Sequence, residues 1–231
     1  MSIGDIHENA SLEELRGILL NGLTYDFYNA ECYYTIYKII GGHSENINKT
    51  QNKNIIDFFS IYYKLAQDAA ILSIARMYDT SKNTKTRCIP YLLKRLDDLS
   101  SMLPSIEAQN MTINLLKNYN VPEQYYLSVK DPDASKFPKE IAYYYKTLYT
   151  EKSLDSKNQS LKKFRDKIIA HNDMFDGNTD FTWSIYEELI GFANEIIDII
   201  VTAYFNTSIL ISRDAEYKAL SIEVMLNKLN L

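Results

Sequence analysis

The chain has 231 residues, is 46% hydrophobic and carries a formal net charge of −5. These values exclude a wholly disordered polypeptide and a surface that attracts nucleic acid over its whole extent. With only 7 glycines and 5 prolines, the chain also lacks the turns that a sandwich or barrel needs about every ten residues. Residues 1–231 are therefore predicted to form a single all-α domain, a bundle of about six to eight helices with long antiparallel helices at its centre.

The N-terminal third predicts two long helices. Residues 11–14, SLEE, have the S-x-x-E form of a capping box, and apolar residues then follow with helical spacing until two glycines, which predicts a helix over residues 12–40. A second helix is indicated by an apolar stripe that ends before residues 80–84, TSKNT. The members of this stripe are Phe58, Tyr62, Leu65, Ala69 and Leu72. The two helices are expected to pair antiparallel.

Six shorter or later helices are predicted in the rest of the chain. Pro90 suits the first turn of a helix over residues 91–99, and Ser105 can cap another that ends at about residue 118. Between residues 119 and 138, three prolines and a DPDAS run predict a connection with little regular structure, and connections of this length are often functional. The remaining predicted helices cover residues 139–149, 154–174, 182–205 and 214–229.

The cysteines and the longest apolar run indicate in which cellular compartment the protein is expected. Cys32 and Cys88 lie far apart, form no CxxC pair and follow no secretory signal pattern, so two reduced thiols in the cytoplasm are expected, with a disulfide as the alternative. The longest apolar run, residues 196–211, is interrupted by Asp198 and Asn206 and is shorter than the roughly 20 residues that span a bilayer. No membrane segment is expected.

Tyrosines occur in clusters, at Tyr33-Tyr34, at Tyr62-Tyr63 and over residues 143–145. Such clusters can be platforms on which nucleic-acid bases stack, or they can supply the edges of a hydrophobic core, because neighbouring rings lie on neighbouring faces of a helix.

Residues 161–175, LKKFRDKIIAHNDMF, place one of only 3 histidines inside a helical pattern. The histidine belongs to an apolar stripe with alternating spacings of three and four residues, which is expected to face a partner surface. The stripe consists of Leu161, Phe164, Ile168, His171 and Phe175. Arg165 lies about 240° around the helix and roughly 9 Å along it from His171, at the edge of the stripe. A second copy of the helix across a two-fold axis would double these groups at one seam.

Residues 165–173, RDKIIAHND, resemble the R-x(4–6)-H motif of HEPN domains, and the residues around them are similar to the HEPN branch associated with bacterial abortive infection. Residues 71–81, ILSIARMYDTS, are more weakly similar to the same branch. The resemblance implies a helical bundle, a homodimer and a metal-independent endoribonuclease whose active site assembles at the dimer seam from both copies of the motif. It implies RNA as the substrate and, for a phage-defence or toxin–antitoxin protein, a cognate antitoxin protein as a further partner.

The resemblance assigns roles to residues of the motif. Ribonucleolytic transesterification needs a group that takes the 2′-hydroxyl proton, a group that protonates the leaving 5′-oxygen and positive charge beside the phosphorane oxygens. His171 would be the general acid or base, Arg165 would form a planar fork on the phosphate, and Asp166 would orient either of them. The predicted substrate-binding residues are Asn172, Lys162, Lys163 and Lys167, with Lys157 in the same basic cluster and Arg76 as a secondary candidate.

No metal and no cofactor are expected. The three histidines, His7, His43 and His171, are dozens of residues apart, and His171 with Asp173 is too sparse a pair to specify a metal site. The chain contains no GxxxxGK[ST], GxGxxG or GxSxG motif, which argues against the common phosphate-loop, dinucleotide-binding and hydrolase sites.

Each candidate residue has a structural alternative. A histidine on an apolar stripe can be a hydrogen-bonded core residue, and Arg165 with Asp166 and the lysines can be a solvated helix face. Arg76 can form an ion pair inside the bundle with Asp79, three residues further on. Two classes of function therefore stay open: the endoribonuclease, and a non-catalytic helical domain that uses the same surface for dimerisation or for binding a partner or RNA.

Overall fold

The computed structural model describes residues 3–79, 87–166, 180–206 and 211–231, with side chains from residue 9 onward and, after the last gap, from residue 217. These residues form helices and no strand, which confirms the all-α prediction. The ten helices are α1 (Ile3–Ile18), α2 (Thr24–Gly42), α3 (Ser44–Lys49), α4 (Lys53–Met77), α5 (Ile89–Asp98), α6 (Gln109–Asn118), α7 (Lys136–Glu151), α8 (Leu154–Arg165), α9 (Trp183–Phe205) and α10 (Ile211–Lys228).

Two predicted boundaries were wrong. The first helix begins at Ile3, not near residue 12, so Ser11 is a buried residue in the middle of α1 and does not cap it. A π-helical turn over Leu19–Leu23 then joins α1 to α2 without leaving helical backbone. Likewise α6 begins after Ala108 and not at Ser105. The split first helix and the unpredicted α3 raise the number of described helices above the six to eight expected.

The main hydrophobic core surrounds α9. Buried residues lie on nearly every side of this helix, and the same core contains residues of α1, α2 and α4 to α8. Thr182 begins α9 as an N-cap, since its Oγ1 accepts a hydrogen bond of 3.4 Å from the Ile185 backbone N–H. A helix that is apolar on all sides is stable only when other elements enclose it, as they do here.

Helices α2, α4 and α10 form a layer beside this core, with α2 in contact with both of the others. A second, smaller hydrophobic cluster joins this layer to α3 and to the last residue of the chain, and it contains Ile40, Ile47, Phe59, Leu226 and Leu231. The pairing of α2 with α4 is antiparallel, as predicted, because Asp26 near the start of α2 contacts Arg76 near the end of α4. Nearer the other end, the Tyr37 and Tyr63 rings stack 4.5 Å apart.

The apolar stripe predicted for the second helix exists, but much of it faces solvent. Its first three members are exposed, together with Ile61, and we call this outward row (Phe58, Ile61, Tyr62 and Leu65) the α4 face, whereas Leu72 is half-buried. Half of the buried residues of α4 are small, including Ala66, Ala70 and Ser73, and small side chains allow neighbouring helices to approach closely. Helix α4 is therefore apolar on two sides and buried on one.

The predicted connection between residues 119 and 138 contains two short 3₁₀ turns, over Glu123–Tyr125 and Leu127–Lys130. Among the described helices, none combines the length and the apolar character needed to cross a membrane.

Candidate functional site

The candidate site lies at the C-terminal end of α8. The buried side of this helix carries Leu154, Asn158, Leu161 and Phe164, and its polar side carries the lysines. Leu161 is fully buried and Phe164 nearly so, which confirms the first two positions of the predicted stripe. Arg165 is the last residue of the helix and lies beside the stripe, where its side chain is partly exposed.

Arg165 is held by its neighbour Asp166. The Asp166 Oδ1 atom accepts from Arg165 Nε at 2.8 Å and lies 2.7 Å from Arg165 Nη2. These contacts fix the plane of the guanidinium through one edge, and the Arg165 side chain remains 27% exposed and that of Asp166 53%. The carboxylate thus orients the arginine, a geometry that suits a positioning role, while the ion pair also reduces the net positive charge at this end of the helix.

The basic cluster is partly neutralised by carboxylates from other helices. Lys162 Nζ lies 4.0 Å from Asp79 Oδ1, just past the end of α4, and Lys157 contacts Glu188 of α9. Lys163 is exposed. A polyanion approaching α8 would therefore meet a surface of mixed charge, with Lys163 the most accessible of the predicted lysines that the structure describes.

Arg76 belongs to a different part of the surface. Its Nε donates to Asp26 Oδ1 on α2 at 2.7 Å, and its Nη2 donates to Ser73 Oγ at 3.2 Å. The ion pair anticipated for this arginine is present, but the predicted partner was wrong, because Asp79 faces α8 instead. Arg76 tethers α2 to α4 and is not brought to Arg165 by any contact among the described residues.

Three of the predicted site residues, His171, Asn172 and Lys167, lie outside the described residues. The remaining positions of the predicted stripe, Ile168 and Phe175, lie there as well.

Asn158 is a polar residue of α8 that the sequence reasoning missed. It is 1% exposed, its Nδ2 donates to the Tyr78 backbone carbonyl at 3.2 Å, and its Oδ1 has no hydrogen-bond partner. Tyr78 also donates its hydroxyl to the Leu189 carbonyl at 2.6 Å. Asn158 therefore ties α8 to the end of α4, and its place between Leu154 and Leu161 on one apolar stripe was the available sequence signal.

A chain of aromatic rings connects the end of α8 with α2 and α4. Ring centroids are 4.6 Å apart for Phe164 and Phe181, 5.8 Å for Phe181 and Trp183, and 4.4 Å for Trp183 and Tyr37. Tyr37 in turn stacks on Tyr63, whose pKa is raised to about 12, chiefly by burial. Some of the clustered tyrosines thus form edges of the hydrophobic core, which is the second of the two roles considered from the sequence.

Among the described residues, no three histidine, cysteine or acidic side chains converge in a way that could hold a metal ion. Comparison of the chain with protein-family models, with curated proteins and with solved structures found no match.

Proposed function

We propose that this chain is a metal-independent endoribonuclease of a phage-defence or toxin–antitoxin type. The observation that carries the proposal is the oriented guanidinium of Arg165, fixed by Asp166 at the end of α8, at the start of the segment that resembles the HEPN motif. A planar guanidinium in this position can bind two phosphate oxygens at once. Because the site would need positive charge and an imidazole from more than one surface, we propose a homodimer that brings two copies of the motif together.

In this proposal the reaction is the attack of an RNA 2′-hydroxyl on the adjacent phosphate. His171 takes the hydroxyl proton or donates one to the leaving 5′-oxygen, since imidazole titrates near neutral pH. Arg165 balances the charge of the pentacoordinate phosphorane, and Asp166 keeps the guanidinium in plane. Lys163 and Lys167, with Asn172, would bind the flanking RNA, and a cognate antitoxin would act by covering this end of α8.

The test is cleavage of RNA by the purified protein in the presence of EDTA, for tRNA, mRNA and single-stranded oligomers. We expect wild-type protein to cleave. His171→Ala should lose about a hundredfold or more of the rate, the usual contribution of a general acid or base, and Arg165→Ala a similar factor, because the charge beside the phosphorane is removed. Asp166→Asn is expected to lose less, because it weakens the orientation of Arg165 and leaves its charge.

The matched control is His43→Ala. His43 follows α2, where its Nδ1 lies 2.9 Å from the Leu231 carbonyl oxygen, and it belongs to no part of the motif. This variant should cleave at the wild-type rate. A wild-type protein that is inert toward all three RNA classes, or a His171→Ala variant as active as wild type, would contradict the proposal.

A second candidate function is a non-catalytic binding or scaffold domain, and the exposed α4 face favours it. Under this alternative, His171→Ala changes the free energy of unfolding or the affinity for a partner. Neither the wild-type protein nor any variant cleaves RNA.

A further inference from the structure

Two partly buried carboxylates of α9 have no cationic partner. Glu195 and Asp198 lie one helical turn apart, so both project from the same side of α9, toward α6 and α7. Neither forms an ion pair with a described residue, and the Lys152 ammonium acts on Glu195 only through its longer-range charge. The two carboxylates therefore form a negatively charged site that is open to solvent on one side.

Partial burial disfavours the ionised form of both groups. It raises the pKa of Glu195, which Lys152 and Tyr145 lower in part, and it raises the pKa of Asp198, which the bond from Tyr119 lowers in part. A carboxylate that is removed from water without a paired cation is less stable than one in solvent. A cation bound between the two groups would replace the water that they have lost.

Hydrogen bonds hold Asp198 in one orientation. The Tyr119 hydroxyl donates to Asp198 Oδ2 at 2.9 Å, and Asn194 Nδ2 donates to the Tyr119 hydroxyl at 3.2 Å. After burial, the charges of Asp198 and of Glu195 both raise the pKa of Tyr119, so this hydroxyl lies beside both carboxylates. One oxygen of Asp198 is thus fixed, and Oδ1 is left for a further donor.

The Tyr145 hydroxyl is a second, independent feature that points to a ligand. Tyr145 is 1% exposed, and its hydroxyl has no hydrogen-bond partner among the described residues. Glu195 lies beside it, because the charge of this carboxylate follows burial as a cause of the raised pKa of Tyr145. Buried hydroxyl groups are nearly always hydrogen-bonded. A cation that keeps Glu195 ionised would give this hydroxyl an acceptor, since both oxygens of an ionised carboxylate accept.

Partly exposed tyrosine rings adjoin the carboxylates. The ring centroids of Tyr144 and Tyr125 are 4.9 Å apart, and after burial the charge of Glu195 raises the pKa of Tyr144. Tyr125 lies on the 3₁₀ turn Glu123–Tyr125, so the connection between residues 119 and 138 contributes to this site. Tyrosine faces attract organic cations and pack against the methylene groups next to the charge.

These groups suit an organic cation and not a multivalent metal ion. Among the described residues, no third acidic, histidine or cysteine side chain joins the two carboxylates, and Ca²⁺ or Mg²⁺ requires about six oxygen ligands. An alkylammonium group donates up to three hydrogen bonds to carboxylate oxygens, and its carbon chain can pack on the rings. Two carboxylates on one helix face, with Cβ atoms about 5–6 Å apart, match the two ends of a short diamine.

From these observations we propose that Glu195 and Asp198, with the tyrosines around them, form a binding site for a short aliphatic diamine. The site goes beyond the proposed function and does not depend on it. Asp198 follows Trp183 by 15 residues, which places the site roughly 22 Å along α9 from the end that adjoins α8. Its test is a binding affinity, not a cleavage rate.

The first experiment titrates the full-length chain with putrescine at pH 7 by isothermal calorimetry. We expect saturable binding of one putrescine per chain and none of 1,4-butanediol, which has the same carbon chain without charges. The amide of Nα-acetyl-lysine presents one ammonium, as a lysine of a partner protein would, and should bind about tenfold more weakly because it pairs with one carboxylate. Absence of saturable putrescine binding, or equal affinity for the lysine amide, would overturn the proposal.

The second experiment repeats the putrescine titration with variants of the site. Glu195→Gln and Asp198→Asn should each weaken binding about tenfold, because each removes one charge-assisted hydrogen bond. The control is Glu45→Gln, which removes the same charge from a side chain that is 80% exposed on α3, and it should bind like wild type. If Glu45→Gln weakens binding equally, the diamine responds only to the acidic net charge, and the proposal is rejected.

Tyr145→Phe tests the unpartnered hydroxyl. This variant should bind putrescine about threefold more weakly, while the melting temperature of the unliganded protein should not fall, because the hydroxyl has no described partner to lose. Unchanged affinity in Tyr145→Phe would reject the part assigned to the hydroxyl, and unchanged affinity in both carboxylate variants would place the diamine elsewhere. RNA cleavage in EDTA by the same variants is a separate readout, so either proposal can fail without the other.

Discussion

Helices α9 and α4 are similar in length, 23 and 25 residues, and both carry apolar side chains on more than one side. Their surroundings differ. Other helices enclose α9, so residues around most of its circumference are buried, whereas α4 is buried on one side and presents four large apolar residues to solvent on another. The comparison separates two uses of the same composition: the apolar residues of α9 stabilise the fold, and the outer ones of α4 are available for association.

The largest expected difference between the two helices concerns leucine truncation. Leu189 of α9 is fully buried in the main core, so Leu189→Ala should lower the free energy of unfolding by about 3 kcal/mol, through lost burial and a cavity. Leu65→Ala on the α4 face should lower it by less than about 1 kcal/mol at protein concentrations low enough to favour the monomer. Urea denaturation monitored by circular dichroism measures both. Equal losses at the two positions would show that the α4 face is enclosed within a single chain.

A smaller effect is expected for a hydroxyl group that joins the two helices. The buried Tyr78 hydroxyl, at the end of α4, donates to the Leu189 carbonyl at 2.6 Å. Tyr78→Phe keeps the ring and removes this bond, and it should lower the free energy of unfolding by about 1 to 2 kcal/mol because the carbonyl is left without this donor. Tyr62→Phe on the α4 face is the control and should change it very little. If Tyr78→Phe leaves the free energy of unfolding unchanged, this hydrogen bond contributes nothing to the attachment of α4 to α9.

The smallest expected effect depends on pH and concerns a carboxylate on α9. Asp198 accepts a hydrogen bond of 2.9 Å from Tyr119, but burial raises its pKa above the ordinary value of 3.8. A raised pKa means that the folded state favours the protonated form. The stability from this group is therefore present below pH 3.8 and is lost as the pH rises through the higher value of the folded state.

Asp198→Asn removes this titration and leaves an amide oxygen for Tyr119. The difference in the free energy of unfolding between variant and wild type should therefore shift in favour of the variant from pH 4 to pH 7, as measured by urea denaturation at each pH. A difference that is the same at both values would show that the carboxylate titrates alike in the folded and unfolded chain.

Much of the helical pattern was predictable because helix periodicity and capping are local. The N-cap at Thr182, the helix that starts around Pro90 and the long second helix all follow from such signals. The capping-box pattern at Ser11 was misleading, because helical backbone already extends upstream from Ile3. A local signal shows that a helix can start at a position, and it does not show that the preceding residues are not helical.

The orientation of α4 was harder to predict because both of its apolar sides satisfy the same periodicity. Bulky residues such as Phe58 and Leu65 are exposed, while the buried side combines large residues such as Ile74 with small ones such as Ala66 and Ala70. Which side is covered is decided by helices that are distant in the sequence. The partner of Arg76 was missed for the same reason, since Asp26 precedes it by 50 residues.

In the candidate site, the contact between Arg165 and Asp166 could be predicted from the sequence, because the two residues are adjacent. The carboxylates that face Lys157 and Lys162 come from α9 and from the end of α4, so the partial neutralisation of the basic cluster required the fold. The assignment of His171 as a general acid or base stays a prediction.

The ring chain between α8 and α4 also gives the molecule a built-in optical probe. Trp183 is the only tryptophan in the chain, and it is separated by one ring, Phe181, from α8 and by one ring, Tyr37, from Tyr63 of α4. Its fluorescence therefore originates from a single position between the end of α8 and the pairing of α2 with α4. Titration with RNA and dilution of the protein can each be followed by the same emission signal, without attaching a dye.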